Sequence, residues 1–488
     1  NKDEQWVRTA FKKIDSIESV EIFEENGRTW AYLTYEDSGD VYRAIRDAPQ
    51  LEEVEVVLPA DTWVQKTSFS HPVVDCEALV VALNKYEASL STGQTHDVLS
   101  IKELISMATK TDSLSVKEAL DRILPWVKNF EFTITNNDGV AVLLSEVRST
   151  LRCIGQHICH LSITFRMSIY PKYINRYWEK ICQYAGPQLN SLKLTCIPNN
   201  QEWLVTLQPL LNRIQHLDVL MINYDINYDI DFALYCPNLI SLKIFMNLNG
   251  TLLCKNQPTL QHLTMLHNDF MDHIFQDFLR NNPQLVYLKI SANDCIGLLQ
   301  KIALHLPALQ GLCLHRGYPE IRAEYLDCLT TLKHLRNLEL VKLNKCNFDA
   351  ILSCLPKFKQ LEGLELYVFY DDIYNVDVNL IHEPYPDLII TLAQELLHLE
   401  RFYLRFCKID SATLCEFVRH AKNLRTLGLY GCGLVITEAE LDVIETIRLT
   451  FNRPMLVIYA DQIHSELNRE KVYRAVNLVA KTSLSGNC

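Results

Sequence analysis

Residues 28–35 read Arg-Thr-Trp-Ala-Tyr-Leu-Thr-Tyr, with one basic and two aromatic side chains at alternate positions. In a β-strand, alternate side chains share one face, so Arg28, Trp30 and Tyr32 are expected on the same side of a sheet. Aromatic rings on an open sheet face can stack on the bases of single-stranded RNA. These three residues are therefore our candidate RNA-binding residues.

A second set of aromatic and basic residues lies toward the C-terminus. Tyrosine and arginine dominate the hot spots of protein interfaces, and the guanidinium group pairs with carboxylates or phosphates in a bidentate manner. A surface formed by these residues is expected to bind a protein segment that carries such groups. The candidate protein-binding residues are Tyr367, Arg401, Tyr403, Arg405 and Tyr430.

Signals for catalysis or metal binding are weak by comparison. His157 and His160 have the H-x-x-H spacing of a metal pair but lack acidic or cysteine partners nearby, and His262 and His267 bracket an apolar run in the same way. The 16 cysteines include no C-x-x-C pair. We find no nucleophile elbow, kinase signature, P-loop or dinucleotide fingerprint. We expect no enzyme activity, cofactor, metal site or small-molecule substrate.

The elements that position the C-terminal residues belong to a sequence repeat. The frame L-x-x-L-x-L, with other apolar residues in place of some leucines, occurs twelve times at intervals that are mostly close to 25 residues. The frames begin at residues 127, 158, 189, 214, 239, 260, 285, 309, 335, 361, 399 and 424. Each unit is expected to form a strand, a turn and a helix. Stacked units would form a solenoid with parallel strands on its concave face.

Numbering within the frame predicts which residues line that concave face. Alternation places frame positions three, five and seven on it. Lysines are expected to form a basic column in the early repeats, followed by two glutamates and then by the five candidate protein-binding residues. The lysines are Lys193, Lys243 and Lys289, and the glutamates are Glu339 and Glu365.

The turn after each strand links these repeats to a known family. The ninth frame position, eight residues after the first leucine, holds a small polar residue in several units, including Cys407 and Cys432. This pattern resembles the cysteine-containing leucine-rich repeats of F-box proteins and, more loosely, the ribonuclease-inhibitor type. The resemblance implies a protein-binding solenoid.

The first 65 residues have a different pattern, in the order helix, strand, strand, helix, strand. With one strand in front, this order would complete the β-α-β-β-α-β topology, and residues 28–35 align with the octamer of the RNA-recognition motif (RRM). The region thus resembles an RRM of ferredoxin-like fold whose first strand is missing from this sequence. It departs from the motif at Thr29, which replaces a glycine. Its charge of −8 opposes phosphate binding, so protein binding and a structural role remain alternatives.

The complete prediction is an α/β protein in five parts. An RRM-like domain occupies residues 1–65, and residues 66–126 form a helical linker that is an N-terminal cap or a degenerate F-box. Repeats fill residues 127–434, a C-terminal cap fills 435–481, with a strand at residues 455–459 and a closing helix at 461–481, and 482–488 is a tail.

The expected function is that of a non-enzymatic adaptor that binds RNA through the RRM-like domain and protein through the repeats. The alternative is a substrate receptor of a cullin-type ubiquitin ligase. Scattered cysteines in apolar runs favour free thiols in a reducing compartment. The sequence shows no signal-peptide pattern and no apolar run long enough to span a membrane. We therefore expect an intracellular protein, cytoplasmic or nuclear, with no membrane partner.

Overall fold

The structure is a computed structural model and describes fifteen segments of the chain. They are residues 17–25, 28–35, 76–92, 101–108, 113–134, 140–165, 171–197, 202–221, 232–245, 256–266, 272–291, 295–315, 321–369, 385–460 and 475–480. The chain divides into two compact units, residues 1–75 and 76–488. Each unit is described by itself.

In the first unit the structure describes two antiparallel strands, β1 (Ile17–Glu25) and β2 (Arg28–Tyr35). Their register pairs Glu25 with Arg28 and continues to Ile17 and Tyr35. The two strands agree with the strands expected from the sequence. The helices and the third strand of the expected RRM topology lie outside the described residues, so that topology stays a prediction.

The second unit begins with three helices, α1 (Cys76–Thr92), α2 (Ile101–Ala108) and α3 (Leu114–Ile123). Apolar side chains of α3 recur at helical spacing and are buried, as Val116, Ala119 and Ile123 show. The Arg122 side chain donates to Glu87 of α1 at 2.9 Å and ties the two helices together. The three helices match the predicted helical segment.

Fourteen parallel strands form a single sheet in which every strand neighbours the next in sequence. Twelve of them begin two residues after a predicted frame, so the repeat assignment is confirmed. The strands are β3 (Asn129–Ile134), β4 (His160–Phe165), β5 (Ser191–Ile197), β6 (His216–Met221), β7 (Ser241–Phe245), β8 (His262–Leu266), β9 (Tyr287–Ser291), β10 (Gly311–His315), β11 (Asn337–Asn344), β12 (Gly363–Phe369), β13 (Arg401–Arg405), β14 (Thr426–Tyr430), β15 (Leu456–Ala460) and β16 (Val476–Ala480).

In the described residues, helices follow most of the strands and cover one face of the sheet. The leucines at frame positions four and six point toward them; Leu312 and Leu314 of β10, for example, are at most 1% exposed. The helices are α4 (Val140–Ile154), α5 (Pro171–Tyr184), α6 (Glu202–Leu211), α7 (Phe232–Tyr235), α8 (Asp272–Asn281), α9 (Cys295–His305), α10 (Ala323–Leu326), α11 (Lys345–Cys354), α12 (Pro386–Glu395), α13 (Ser411–His420) and α14 (Glu438–Thr450).

Strand register aligns the frames with one another. Leu312 of β10 lies beside Leu288 of β9 and Leu338 of β11, and the same pairing of frame position four continues through the repeats. Frame positions three, five and seven therefore also form rows on the other face of the sheet, which we call the open face. The parallel sheet, the returning helices and the leucine frame together define a leucine-rich-repeat solenoid.

A backbone ladder joins each repeat to the next just before the strand begins. The carbonyl oxygen of Lys128 accepts hydrogen bonds from the N–H groups of both Cys159 and His160, at 2.8 and 2.9 Å. The equivalent carbonyl of each following repeat does the same for the next one. The carbonyls belong to residues 128, 159, 190, 215, 240, 261, 286, 310, 336, 362 and 400.

The C-terminal cap begins as the sequence predicts and ends differently. Thr437 and Glu440 form the predicted capping box at the start of α14, and β15 matches the predicted strand. The prediction of a closing helix over residues 461–481 is wrong at its end, because Val476–Ala480 is a strand in register with β15. Parallel pairing with β15 and β-branched valines favour a strand there over the helical spacing of the apolar residues.

A buried arginine stabilises this cap. Arg448 of α14 is 0% exposed and donates to the carbonyl oxygens of Leu424 at 2.5 Å, of Pro454 at 3.0 Å and of Ala421 at 3.4 Å. Burial, with a smaller contribution from Arg453, lowers the pKa of Arg448 to about 10. The guanidinium group therefore gives the carbonyls of Leu424 and Pro454 hydrogen-bond donors inside the cap.

Candidate functional site

The five candidate protein-binding residues lie together on the open face. Register places Tyr367 of β12 beside Arg405 of β13, and Arg405 beside Tyr430 of β14. Arg401 and Tyr403 precede Arg405 on the same strand. With strands about 5 Å apart, the five form one surface, as the sequence predicts. We call this surface the tyrosine–arginine patch.

A glycine gives the patch its shape. Gly428 lies beside Tyr403 in the register, and a Cβ atom at Gly428 would overlap the Tyr403 ring. The Tyr403 ring stacks on Tyr430, with centroids 6.5 Å apart and planes 3° from parallel. Tyr430 is 3% exposed, so it supports Tyr403 from below. The missing side chain at Gly428 thus provides the space that the Tyr403 ring occupies.

The two arginines of the patch have different surroundings. The Arg405 guanidinium forms an ion pair of 2.7 Å with Glu365 and lies over the Tyr430 ring, 5.0 Å from its centroid. Burial raises the pKa of Glu365, although Arg405 opposes this rise. Arg401 is exposed and donates to the side-chain oxygen of Asn337 at 2.8 Å. Arg401 is thus the more accessible positive charge of the patch.

A groove of about 630 Å³ lies at the other end of the open face, over β3–β7. Histidine and serine alternate along frame position three, so that His160, Ser191, His216 and Ser241 follow one another on neighbouring strands. His262 of β8 continues the row. We call the groove together with this row the histidine groove.

Charged groups of both signs line the next row of the histidine groove. Lys193, Asp218 and Lys243 occupy frame position five on β5, β6 and β7. Burial raises the pKa of Asp218, although Lys243 and Lys193 oppose this rise. Burial, with smaller contributions from His160 and His262, lowers the pKa of His216. Proton uptake by the histidines is therefore the main way in which the charge of this groove can change near neutral pH.

Sequence reasoning found the basic column but missed the histidine row. Along the chain, His160 and His262 stand out only as members of metal-like pairs. Comparing frame position three across the repeats would have revealed the row, because the register places those positions side by side. The basic column also differs from the expectation at Lys289, which donates to Glu339 at 3.3 Å.

The candidate RNA-binding residues lie on β2. The register pairs Trp30 with Phe23 and Tyr32 with Glu21 of β1, and Arg28 begins the strand. Trp30 and Tyr32 therefore occupy alternate positions of one strand, as predicted. The arrangement of their side chains lies outside what the structure describes.

Metal ligands and membrane-spanning helices are the two remaining features to consider in the described residues. Within these segments, no group of three or more histidine, cysteine, aspartate or glutamate residues could hold a metal ion. None of the described helices has both the length and the apolar character needed to cross a membrane.

Comparison with known proteins gives matches among solved structures only. No protein-family model matches the chain, and no curated protein matches it. The leucine-rich-repeat-containing protein LegL7 from Legionella pneumophila is 14% identical, with a TM-score of 0.38, over 66% of this chain and 98% of LegL7.

Two further structures are similar at the same level. The complex of Rad7 and Elc1 in yeast gives 13% identity and a TM-score of 0.33, over 92% of this chain and 99% of the matched chain. The complex of TLR13 with ssRNA13 gives 14% identity and a TM-score of 0.32, over 74% of this chain and 55% of that one. These scores are low, so the assignment to the leucine-rich-repeat class rests on the frame and the sheet of this chain.

Proposed function

We propose that the chain is a non-enzymatic interaction scaffold that binds a protein partner through the tyrosine–arginine patch. The observation that carries this proposal is the stack of Tyr403 on Tyr430 above Gly428. The stack holds an accessible aromatic ring next to the exposed Arg401 before any partner arrives. Preorganised tyrosine and arginine side chains lose little conformational entropy on binding and therefore favour affinity.

The surroundings of the two arginines indicate what the partner segment presents. Because Arg405 is already paired with Glu365, it serves mainly to hold the Tyr430 ring. Arg401 is the group that would receive a carboxylate or phosphate from the partner, and Tyr403 would receive an apolar side chain next to it. A segment with one acidic residue next to an apolar one would fit the patch.

Photocrosslinking tests this proposal directly. A photoreactive phenylalanine analogue replaces Tyr403 in one preparation and Tyr385 in another. Tyr385 is exposed and precedes α12, away from the sheet, so it controls for random collision. We expect one protein to be crosslinked from position 403 and not from position 385. Equal crosslinking from both positions would contradict the proposal.

The protein identified in this way then allows a matched affinity measurement. Arg401→Ala with Tyr403→Ala should weaken its binding by about 2 to 4 kcal/mol, as expected for interface hot spots. Arg322→Ala with Tyr385→Ala removes the same two residue types, both exposed, at the starts of helices. This control should leave the affinity unchanged. Equal losses in the two variants would place the interface elsewhere.

We propose in addition that the first unit binds single-stranded RNA through Arg28, Trp30 and Tyr32. The described strand β2, with Trp30 and Tyr32 at alternate positions, supports this part of the proposal. Trp30→Ala with Tyr32→Ala should reduce ultraviolet crosslinking to single-stranded RNA, at about 1 to 3 kcal/mol for each lost stack. Unchanged crosslinking would favour a protein-binding role for this unit.

The alternative, a receptor of a cullin-type ubiquitin ligase, depends on the three helices before the first repeat. Val116, Ala119 and Ile123 of α3 are buried and Arg122 ties α3 to α1, which favours an N-terminal cap. Recovery of a ubiquitin-ligase adaptor and cullin with the purified chain would support the receptor. Their loss when α1 carries charge-reversed exposed residues such as Glu77→Lys would assign the contact to these helices.

A further inference from the structure

The histidine groove suggests a second interaction surface, separate from the tyrosine–arginine patch. Its lining is polar along two neighbouring rows, with histidine and serine in one and lysine and aspartate in the other. Such rows offer hydrogen-bond donors at every strand, about 5 Å apart. An extended segment that crosses the strands would meet these donors one after another.

The charge of the lining depends on the state of the histidines. Over β3–β8, Lys193 and Lys243 against Glu131 and Asp218 give a net charge of zero while the histidines are neutral. Protonation of His160, His216 and His262 would raise it to +3. The ionisable groups around the row also include Tyr287 on β9 and the ion pair of Lys289 with Glu339.

The spacing of the histidines allows all three to be charged together by a suitable ligand. They lie on β4, β6 and β8, so neighbouring histidines are two strands, or about 10 Å, apart. That distance is close to the Debye length at moderate salt, so their mutual repulsion is modest once acidic groups lie between them. Ser191 and Ser241 fill the strands in between and can donate to the same ligand.

We propose that the histidine groove binds an extended acidic segment of a protein partner, and that it does so more tightly as pH falls from about 8 to about 6. The positive charge that the protonated histidines add to the lining supports an acidic occupant. A peptide is favoured over a nucleic acid because Asp218 interrupts the positive row and would oppose a continuous phosphate backbone. This proposal does not depend on the tyrosine–arginine patch.

Protonation and binding are reciprocally linked. Burial lowers the pKa of His216, so this ring is mostly neutral in the unbound protein at neutral pH. An acidic ligand stabilises the charged ring and raises that pKa, so binding takes up protons. Lower pH therefore favours the charged histidines, and with them the complex.

Fluorescence anisotropy with the full chain provides the test. The probe is a short labelled peptide that alternates glutamate with serine and glycine, and its glutamine counterpart is the neutral control. We expect the affinity for the glutamate peptide to increase about tenfold between about pH 8 and about pH 6, where glutamate itself remains ionised. The same affinity at both pH values would overturn the proposal.

Three sets of variants assign the effect to the groove. His160→Gln with His216→Gln and His262→Gln should abolish the pH dependence, so that the affinity is the same at both pH values. Lys193→Gln with Lys243→Gln should weaken binding at both pH values. Lys333→Gln with Lys422→Gln removes two exposed lysines outside the sheet and should change neither. Retained pH dependence in the histidine variant would overturn the assignment.

A measurement on the unmodified protein covers the case in which the histidine variant does not fold. Titration calorimetry near pH 6.5 in two buffers of different ionisation enthalpy gives the number of protons taken up on binding. We expect net uptake, and zero uptake would overturn the proposal. If single-stranded RNA binds more tightly than the peptide with the same dependence on the histidines, the occupant is a nucleic acid and the peptide assignment fails.

Discussion

The two ends of the open face use the same strand geometry in different ways. In the tyrosine–arginine patch, side chains contact each other: Arg405 pairs with Glu365, and Tyr403 stacks on Tyr430. In the histidine groove, small polar residues such as Ser191 separate the larger ones and leave an open volume of about 630 Å³. The patch is therefore shaped by its own contacts, whereas the charge of the groove depends on the solution.

This difference shows how one repeat can carry two kinds of surface. The buried leucines fix the position of each strand and are nearly the same in every unit. The residues at frame positions three, five and seven face away from that core and can vary without disturbing it. A rigid aromatic surface and a titratable groove can therefore coexist on a single sheet.

The largest expected effect is unfolding of the repeat solenoid, which would remove the tyrosine–arginine patch and the histidine groove together. Leu312 of β10 lies between them and is 1% exposed, so Leu312→Asp should destabilise the fold by about 3 to 5 kcal/mol by burying an unpaired charge. Thermal unfolding followed by circular dichroism measures the change. Gln310→Asp introduces the same charge at an exposed position nearby and should have little effect. An unchanged melting temperature for Leu312→Asp would refute the assigned frame.

The next largest effect should destabilise the tyrosine–arginine patch and leave the histidine groove stable. Arg448→Met removes the donors to the carbonyls of Leu424 and Pro454, and should cost about 2 to 4 kcal/mol. Hydrogen exchange should increase in β13–β15, close to the tyrosine–arginine patch, and stay low in β4–β6. Arg419→Met changes an exposed arginine of α13 and serves as the control. Equal exchange at both ends would show that the solenoid unfolds as one unit.

The strands were predictable because the leucine frame repeats with little variation. All twelve frames correspond to strands, and the register then follows from the alignment of their leucines. The strand Val476–Ala480 was not predictable in this way, because its residues also fit a helical pattern and only the neighbour β15 decides between the two. Local sequence therefore predicts the interior of the solenoid better than its edge.

The candidate site was predictable in position but not in its internal contacts. The sequence brings Tyr367, Arg405 and Tyr430 to neighbouring strands, and the register confirms this. The sequence does not predict the ion pair between Glu365 and Arg405, because that contact depends on the directions of two long side chains. The role of Gly428 also depends on a ring from another strand.

The smallest expected effect concerns one carboxylate in each region. Burial raises the pKa of both Asp218 and Glu365, so each contributes stability that is complete below its unfolded pKa of about 4 and is lost as pH rises through the folded value. Asp218→Asn should therefore stabilise the protein near neutral pH by less than about 1 kcal/mol, and this gain should shrink toward pH 4.

The corresponding carboxylate-to-amide change beside the patch should stabilise the protein less than Asp218→Asn does. Glu365→Gln removes a buried charge and also removes the ion pair with Arg405, so its gain is expected to be smaller than that of Asp218→Asn. Chemical denaturation of both variants at several pH values measures the difference. A larger gain for Glu365→Gln would mean that the ion pair contributes nothing to stability.

The ladder of shared carbonyls has a consequence for how such a chain can change in length. Because one backbone oxygen accepts from two N–H groups at each of the eleven junctions from β3 to β14, these junctions are made of the same atoms whatever the side chains are. Removing one complete unit between β9 and β11 would leave an equivalent junction in place. The two binding regions would then approach each other by about 5 Å, the width of one strand, with their own residues unchanged. Whole-unit duplication or deletion would therefore change the distance between the patch and the groove in steps of one strand.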